Sequence, residues 1–547
     1  MSTATTTNSE KTRILIVGAG AAGLSAAYAF SQHPDRYDVR VYERSSYAGG
    51  MATSAPIDRS MYGADYINDG VQGASPVFHN TFAIFDMLGF SAADVDMQVS
   101  FGRDQETEFW TNVFPSRVID KFGNDIKKFG TALKVIKTFE LVFAMIPVST
   151  MLKMFRFSKE FGDTIVYPLV ALFFGTGNQT PFISSAILER VFMDPNMRLF
   201  EYSPDTFLAS IPKMKAFPCL SMLYDKWKSF VEEQGQGSVQ VVLEREVMRI
   251  KRHSRSAGAI EVWSRPTKGT NNEQEVESPG EEELETFDEI VLCCDADSAL
   301  KILGEDAGWL ERRVLGNVKY LWDVTVTHND LEYMEKYYRA RYDPILRSEK
   351  NQDDPERKKQ FEFAQKNFAP LYFIRSYPKD KSKLEMSFDL TCYQPQFDGV
   401  SPLGPSANDD TNNKDEGEIP LERHVFQTIF LNKEPESSQY WSKDEIDGKK
   451  IIMQKWWKQQ SHRWQHYAGT VPWMGLINGK SHTYFAGAWT VLNMHEIAVA
   501  SGFAAAYRLG AAFPFADKPD CKRLFALCLA ANHMSRLRKE DRTGLFA

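Results

Sequence analysis

At 547 residues, with 43% hydrophobic and 25% charged residues, the chain is long enough for two or three domains and has an ordinary soluble composition. A net charge of -8 excludes a globally basic surface for nucleic acid or anionic lipid. The six cysteines, Cys219, Cys293, Cys294, Cys392, Cys521 and Cys528, form no CxxC pair and read as reduced and structural. Residues 1–11 read as a flexible tail with neither the apolar core nor the arginines of a targeting leader, so the expected compartment is the cytoplasm.

The chain is organised around Ile14–Gly23, ILIVGAGAAG. Four apolar residues run into a glycine-rich turn, and a stretch of small residues follows to Phe30, as a buried parallel strand turning into a helix requires. Gly18 permits the turn, Gly20 lets a pyrophosphate approach the backbone, and Gly23 lets helix and strand pack closely, with Ala19 and Ala22 between them. The helix start offers N–H groups and a positive dipole end to phosphates. A second strand, Tyr37–Tyr42, ends at Glu43, whose carboxylate can accept the hydroxyls of an adenosine ribose. A glycine-rich turn in some unrelated α/β protein would not need strand, glycines, helix, strand and acid in this order. Arg44 and Ala48-Gly49-Gly50-Met51 close the segment.

Asp65–Gly73 and a helix ending at Leu88-Gly89 complete the first part of the nucleotide-binding domain, residues 12–90. Residues 91–235 form a substrate or helical lid region, in which 127–177 interleaves lysines with large apolar residues. Its longest uncharged run, Leu141–Leu152, contains Pro147 and is too short to span a bilayer. It reads either as a buried helical layer with snorkelling lysines or as an amphipathic lid resting on a membrane surface. Phe173–Gly177 is expected to end that layer. The chain returns to the nucleotide domain over 236–312, through strands Ser238–Leu243, Glu244–Ile250 and Phe287–Cys294; residues 265–285 read as an exposed insertion. Strands at Val324–His328, Leu371–Ile374, Leu384–Thr391 and His424–Ile429 predict an antiparallel sheet in a substrate domain over 313–470, with surface excursions at 349–359 and 398–418. Residues 471–515 return to the nucleotide domain, and 516–547 form a helical tail.

The stretch Thr483–Thr490, followed by Asn493-Met494-His495-Glu496 and Ala500–Ala506, repeats the opening device: an apolar strand, Gly487, and a helix of small residues. With the ER…GG of Glu43–Gly50, this FAG…E…SG…AA pattern resembles the FAD-dependent amine oxidase and phytoene desaturase superfamily. The likeness is nearest to a branch of predicted FAD-binding proteins with polyunsaturated fatty acid double-bond isomerase-like members. Tyr320–Met334 and FAGAWT before HE are similar to that branch. The resemblance implies an α/β fold, with a Rossmann-type FAD-binding domain and a second α+β substrate domain of antiparallel sheet plus helical layer. It implies one non-covalent FAD held by both glycine motifs, with Val247 touching the adenine and Glu496 as a polar flavin contact. The sequence departs from the amine oxidases proper at Met51, where an arginine is usual, and around His495, where an acid-glycine pair is usual.

A flavin supplies hydride chemistry, and the protein supplies orientation and exclusion of water. Phe and Met concentrated at 139–193 favour an apolar, lipid-like substrate undergoing desaturation or double-bond isomerisation, with the electron acceptor unassigned. His495 is the candidate acid-base. His462 and His466 lack an acidic third partner and read as structural rather than as metal ligands, so no metal is expected. The alternatives are a flavin amine oxidase and a non-catalytic flavin-binding protein.

Overall fold

The computed structural model describes residues 11–104, 107–174, 178–194, 198, 200–208, 210–253, 260–267, 280–405 and 419–542. The first device folds as its residues require. Thr12–Val17 is the centre of a five-stranded parallel sheet, between Tyr37–Tyr42 with Val239–Val242 on one side and Glu289–Leu292 with Thr483–Phe485 on the other. Parallel sheets are covered on both faces, and alternate residues of this strand divide accordingly. Ile14 and Ile16 join the core beneath helices Ala21–Ser31 and His495–Arg508, whereas Leu15 and Val17 join Val262, Ile302 and Phe485 on the opposite face.

Every residue of Ala21–Ser31 is buried, which explains why its sequence is mostly alanine, glycine and serine, with Leu24, Tyr28 and Phe30 filling the wider gaps. Gly18 adopts φ +105°, and a Cβ on Gly23 would lie 1.9 Å from the Gly18 carbonyl oxygen. Strand, turn and helix therefore close on one another at that pair. The helix crosses His495–Arg508 just as tightly, since a Cβ on Gly502 would lie 2.1 Å from the Ala22 carbonyl oxygen. Helix Pro519–His533 packs on the outside of His495–Arg508, burying Cys521, Phe525, Cys528 and Leu529.

The second sheet has seven strands in the order Ile451–Gln460, Tyr320–His328, Phe426–Phe430, Asp380–Asp389, Tyr372–Tyr377, Val99–Phe101 and Trp110–Thr111. All pair antiparallel except Tyr372–Tyr377 with Val99–Phe101, so the expected antiparallel sheet is in fact mixed. Three of its strands carry no readable alternation. Ile451–Gln460 (IIMQKWWKQQ) is half-buried along most of its length, and the other two are only three and two residues long.

Helices Gly123–Thr138, Glu140–Phe143, Val148–Met154 and Tyr167–Phe174 form the helical layer. Ile126, Phe129, Leu133, Ile136, Phe143 and Met151 point into the main core, so the layer's inner face is core. Its outer face leaves Phe139, Leu141, Val142, Met145 and Met154 exposed. The expected end of the layer at 175–177 lies outside the described residues, as does the tail over 1–10.

One further expectation is corrected. The stretch 265–285 is not wholly an exposed insertion, because its ends belong to a three-stranded antiparallel sheet of Arg245–Arg252, Ile260–Pro266 and Glu283–Phe287. Pairing satisfies the backbone there despite the charged side chains; residues 268–279 lie outside the described residues. The excursion at 349–359 is exposed as expected and carries the start of helix Pro355–Asn367, capped by Asp354 accepting from Glu356 N–H. Within 398–418, residues 406–418 lie outside the described residues.

Candidate functional site

Ligands of open α/β sheets bind beyond the carboxyl ends of the strands, and a cavity of about 420 Å³ lies there. Its wall takes Gly20 and Ala22 from the first motif, Gly50 and Met51 from the second glycine pair, and Gly487 and His495 from the last motif. Residues separated by more than 450 positions thus meet in one cavity because the helices that follow both glycine turns cross at Ala22 and Gly502. The wall continues through Leu172, Val191 and Met214 from beyond the parallel sheet.

The donor set fits a dinucleotide. Helix Ala21–Ser31 begins at Gly20 with no side-chain cap and no acid in its first turn. The first N–H groups of a helix have no intrahelical acceptor, and a bare glycine-alanine start presents them to an anion without obstruction. Helix His495–Arg508 likewise starts at the cavity, at Met494, without a side-chain cap. Glu43 lies at the end of the strand beside the first motif. Its Oε2 accepts from Ala19 N–H at 2.8 Å and its Oε1 from Ser45 N–H at 2.9 Å. A carboxylate offers about four lone-pair sites, so both oxygens retain capacity for ribose hydroxyls.

Gly18, Ala19 and Gly23 form the turn behind the wall rather than the wall itself. Arg44 is exposed, and its carbonyl accepts from Thr267 Oγ1. Val247 is buried beside a register shift between its own strand and Ile260–Pro266, packed in the core under the parallel sheet. Neither residue lines the cavity. Glu496, expected as a flavin contact, is turned to another use. Its carboxylate accepts from the backbone N–H and Nδ2 of Asn80 and from the N–H and Oγ1 of Thr81, at 2.7–2.9 Å. Helix His79–Leu88 has no side-chain cap from its own N-cap residue, Phe78, and Glu496 supplies the missing acceptor for its orphan N–H groups.

His495 stands between this carboxylate and the cavity. Its Nδ1 lies 3.0 Å from Thr81 Oγ1 and its Nε2 2.7 Å from Tyr224 Oη. The Thr81 hydroxyl has one proton, which it donates to Glu496, so it must accept from His495 Nδ1–H. Nε2 then carries the lone pair and accepts from the Tyr224 hydroxyl. The order Tyr224 to His495 to Thr81 to Glu496 is thereby fixed in direction. Withdrawal from water lowers the His495 pKa to about 4 and raises that of Tyr224, so the ring is neutral and the phenol protonated at neutral pH. Burial raises the Glu496 pKa, and its four donors hold that rise down. The chain can accept a proton at the cavity wall and pass it inward; a neutral imidazole suits a base, not an acid.

Several wall residues gave no sequence signal. Tyr224 lies on helix Leu220–Gln234, one of several aromatic residues on its buried face. Lys458 lies on the unread strand Ile451–Gln460, with its Nζ 2.7 Å from Asp297 Oδ1, 3.3 Å from Asp295 Oδ2 and 4.7 Å from the centre of the Tyr320 ring. Burial disfavours its charge, but the two aspartates more than offset this and raise its pKa. His462 and His466 do not share a helix: His466 is in Trp464–Gly469 and hydrogen-bonds with Gln460 Nε2, whereas His462 precedes that helix and meets Tyr467 Oη.

Residues 16–87 match the family model of an NAD(P)-binding Rossmann-like domain. No curated protein matches the chain. Among solved structures it is similar to the CLA-producing fatty acid isomerase from P. acnes, at 13% identity over 91% of this chain and 99% of that one, with a TM-score of 0.53. It is also similar to wild-type putrescine oxidase bound to putrescine, at 11% identity over 91% and 99% with a TM-score of 0.54. Cyclohexylamine oxidase from Brevibacterium oxydans IH-35A matches at 11% identity over 91% and 100%, with a TM-score of 0.52. These likenesses span nearly the whole of each chain. The chain shares the α/β fold of these solved structures, with a Rossmann-like nucleotide-binding segment over residues 16–87.

Proposed function

We propose that the chain is an FAD-dependent oxidoreductase that abstracts hydride from an apolar, lipid-like substrate, giving a desaturated product or a shifted double bond. The observation that carries this reading is the single cavity joining both glycine motifs to Leu172, Val191 and Met214. FAD, when bound, supplies the two-electron acceptor. Around it the chain's own residues have separable tasks. Gly20–Ala22 and the start of His495–Arg508 present N–H groups to the pyrophosphate and flavin, and Glu43 holds the ribose without a covalent bond. Leu172, Val191 and Met214 exclude water from the substrate end, and Tyr224 with His495 receives a proton at the wall.

A second reading, amine oxidation, draws on Tyr320, Tyr372 and Trp489 in the same wall and on the two amine oxidases that share the fold. Anaerobic incubation with a polyunsaturated fatty acid separates the outcomes. A shifted double bond accumulating over many turnovers marks an isomerase, which needs no acceptor. One stoichiometric bleaching of the flavin marks a dehydrogenase that passes electrons to oxygen or a partner. Bleaching by simple amines and by no lipid would restore the amine oxidase reading, and bleaching by neither would leave a flavin-binding protein without catalysis.

We further propose a cytoplasmic protein that meets membranes peripherally through the outer face of 127–177. Leu141 is 85% exposed and Phe139 57%, with Val142, Met145 and Met154 beside them in sequence and Lys134, Lys137 and Lys153 exposed nearby. Apolar tips ringed by lysine suit an anionic interface. Among the described residues no helix is long and apolar enough to cross a membrane. Flotation with anionic liposomes at low salt is expected to carry the protein upward, and a Leu141→Asp variant should stay behind. Equal flotation of both would remove this contact.

A further inference from the structure

Away from the cavity, the exit of strand Asp380–Asp389 and the entry to Phe426–Phe430 bring three unlike side chains together. Asp389, Cys392 and His424 place their ligand atoms within 4.8 Å of one another. The two segments are braced by the backbone: Leu390 N–H donates to the Val425 carbonyl, and Val425 N–H donates to Thr391 Oγ1, each at 2.9 Å. Cys392 N–H occupies Asp389 Oδ1 at 3.1 Å, which leaves Oδ2 facing the imidazole.

His424 Nε2 lies 3.0 Å from the Ile419 carbonyl oxygen, an acceptor only, so Nε2 carries the proton. In the neutral ring the lone pair is then on Nδ1. That nitrogen lies 2.7 Å from Asp389 Oδ2 and 3.9 Å from Cys392 Sγ. Neutral imidazole would set acceptor against acceptor, and a cation between them removes the conflict. A proton does so for the histidine–aspartate pair alone and makes no use of the third donor. A divalent metal uses all three. The Ile419 contact is also the outer hydrogen bond that metal-bound histidines characteristically make, fixing the tautomer that ligates.

We propose that Asp389, Cys392 and His424 form a zinc site of three protein ligands, completed by one water. One oxygen, one nitrogen and one sulfur donor suit a borderline-soft, tetrahedral Zn(II) better than Mg(II) or Ca(II). Tetrahedral zinc separates such ligand atoms by about 3.3–3.6 Å. Metal entry therefore spreads the nitrogen–oxygen contact and draws the sulfur inward, releasing the thiol proton to solvent. The site ties Asp389 and Phe426, register partners in the seven-stranded sheet, at the point where both strands meet their loops. It is independent of the flavin and of the reaction proposed above.

The test takes the full-length protein, stripped with a chelator and dialysed against Zn(II). One zinc per chain is expected, with a single sulfur scatterer in its X-ray absorption spectrum and a melting temperature raised by the metal. Cys392→Ser should lose the sulfur signal and His424→Asn the stoichiometric zinc. Far-UV circular dichroism and an unchanged flavin content will show that both variants remain folded. Substoichiometric zinc in the wild type, or uptake unaltered by both substitutions, would overturn the site and leave an imidazolium–aspartate ion pair. If both variants unfold, the wild-type absorption spectrum decides alone: without sulfur in the zinc shell, the proposal fails.

Discussion

Replacing Gly502 with Ala is expected to destabilise the protein by about 1–3 kcal/mol or more and to release the flavin proposed above. The added methyl would lie 2.1 Å from the Ala22 carbonyl oxygen and 3.1 Å from the Ala22 Cα. Those are backbone atoms of a fully buried helix, so no side chain can rotate away and the two helices must separate. Both helices begin at the cavity, and their starting residues line it. Parting them displaces the first and last motifs relative to each other, so cofactor retention should fall along with stability. Urea unfolding and the flavin-to-protein absorbance ratio measure the two effects. Wild-type stability with full flavin content would show that the crossing does not hold the two motifs together.

Glu385→Gln is expected to cost about 3–5 kcal/mol while leaving the flavin in place. Glu385 is wholly buried, paired through two hydrogen bonds of 2.9 Å with Arg375 on the neighbouring strand. It also accepts from the hydroxyls of Tyr333, Tyr338, Tyr377 and Ser442 at 2.7–2.8 Å. The amide removes the carboxylate hydrogen-bonded to Arg375 and leaves a guanidinium that is 7% exposed without that counter-charge. The pair also sets a pH dependence. Burial alone would raise the Glu385 pKa, but Arg375 and the surrounding hydroxyls hold it below the ordinary carboxylate value. A depressed carboxylate contributes stability that is present above its unfolded pKa of 4.5 and lost as pH falls through the folded value. The wild type should therefore approach the variant's stability as the pH falls below 4.5 and through the depressed folded value. Denaturant titrations at pH 7 and in acid check both parts, and a constant difference between the proteins would show that the pair does not titrate with folding.

The opening strand, its glycine turn and Glu43 were legible because they are local. A short apolar run, glycines at fixed spacing and an acid after the next strand each follow from contacts within about thirty residues. The second motif was legible for the same reason, as were the antiparallel strands with clear alternation. The wall of the cavity was not. Tyr224 and Lys458 reach it from a helix and from a strand of the second sheet, and nothing in their own neighbourhoods marks them. Glu496 shows the converse. Its place in a flavin-like motif suggested a ligand contact, yet the nearest orphan N–H groups, at Asn80 and Thr81, belong to a helix more than 400 residues earlier. A buried carboxylate goes to the donors that the tertiary packing places beside it, and sequence spacing cannot show which those are. Asp389, Cys392 and His424 likewise converge only because strand pairing returns the chain to Asp389 at Phe426. Sequence alone therefore determined the nucleotide-binding device and the fold class, whose signals are local. Tertiary structure alone decided which distant side chains share a wall, a proton or a ligand sphere, since those depend on register and packing across hundreds of residues.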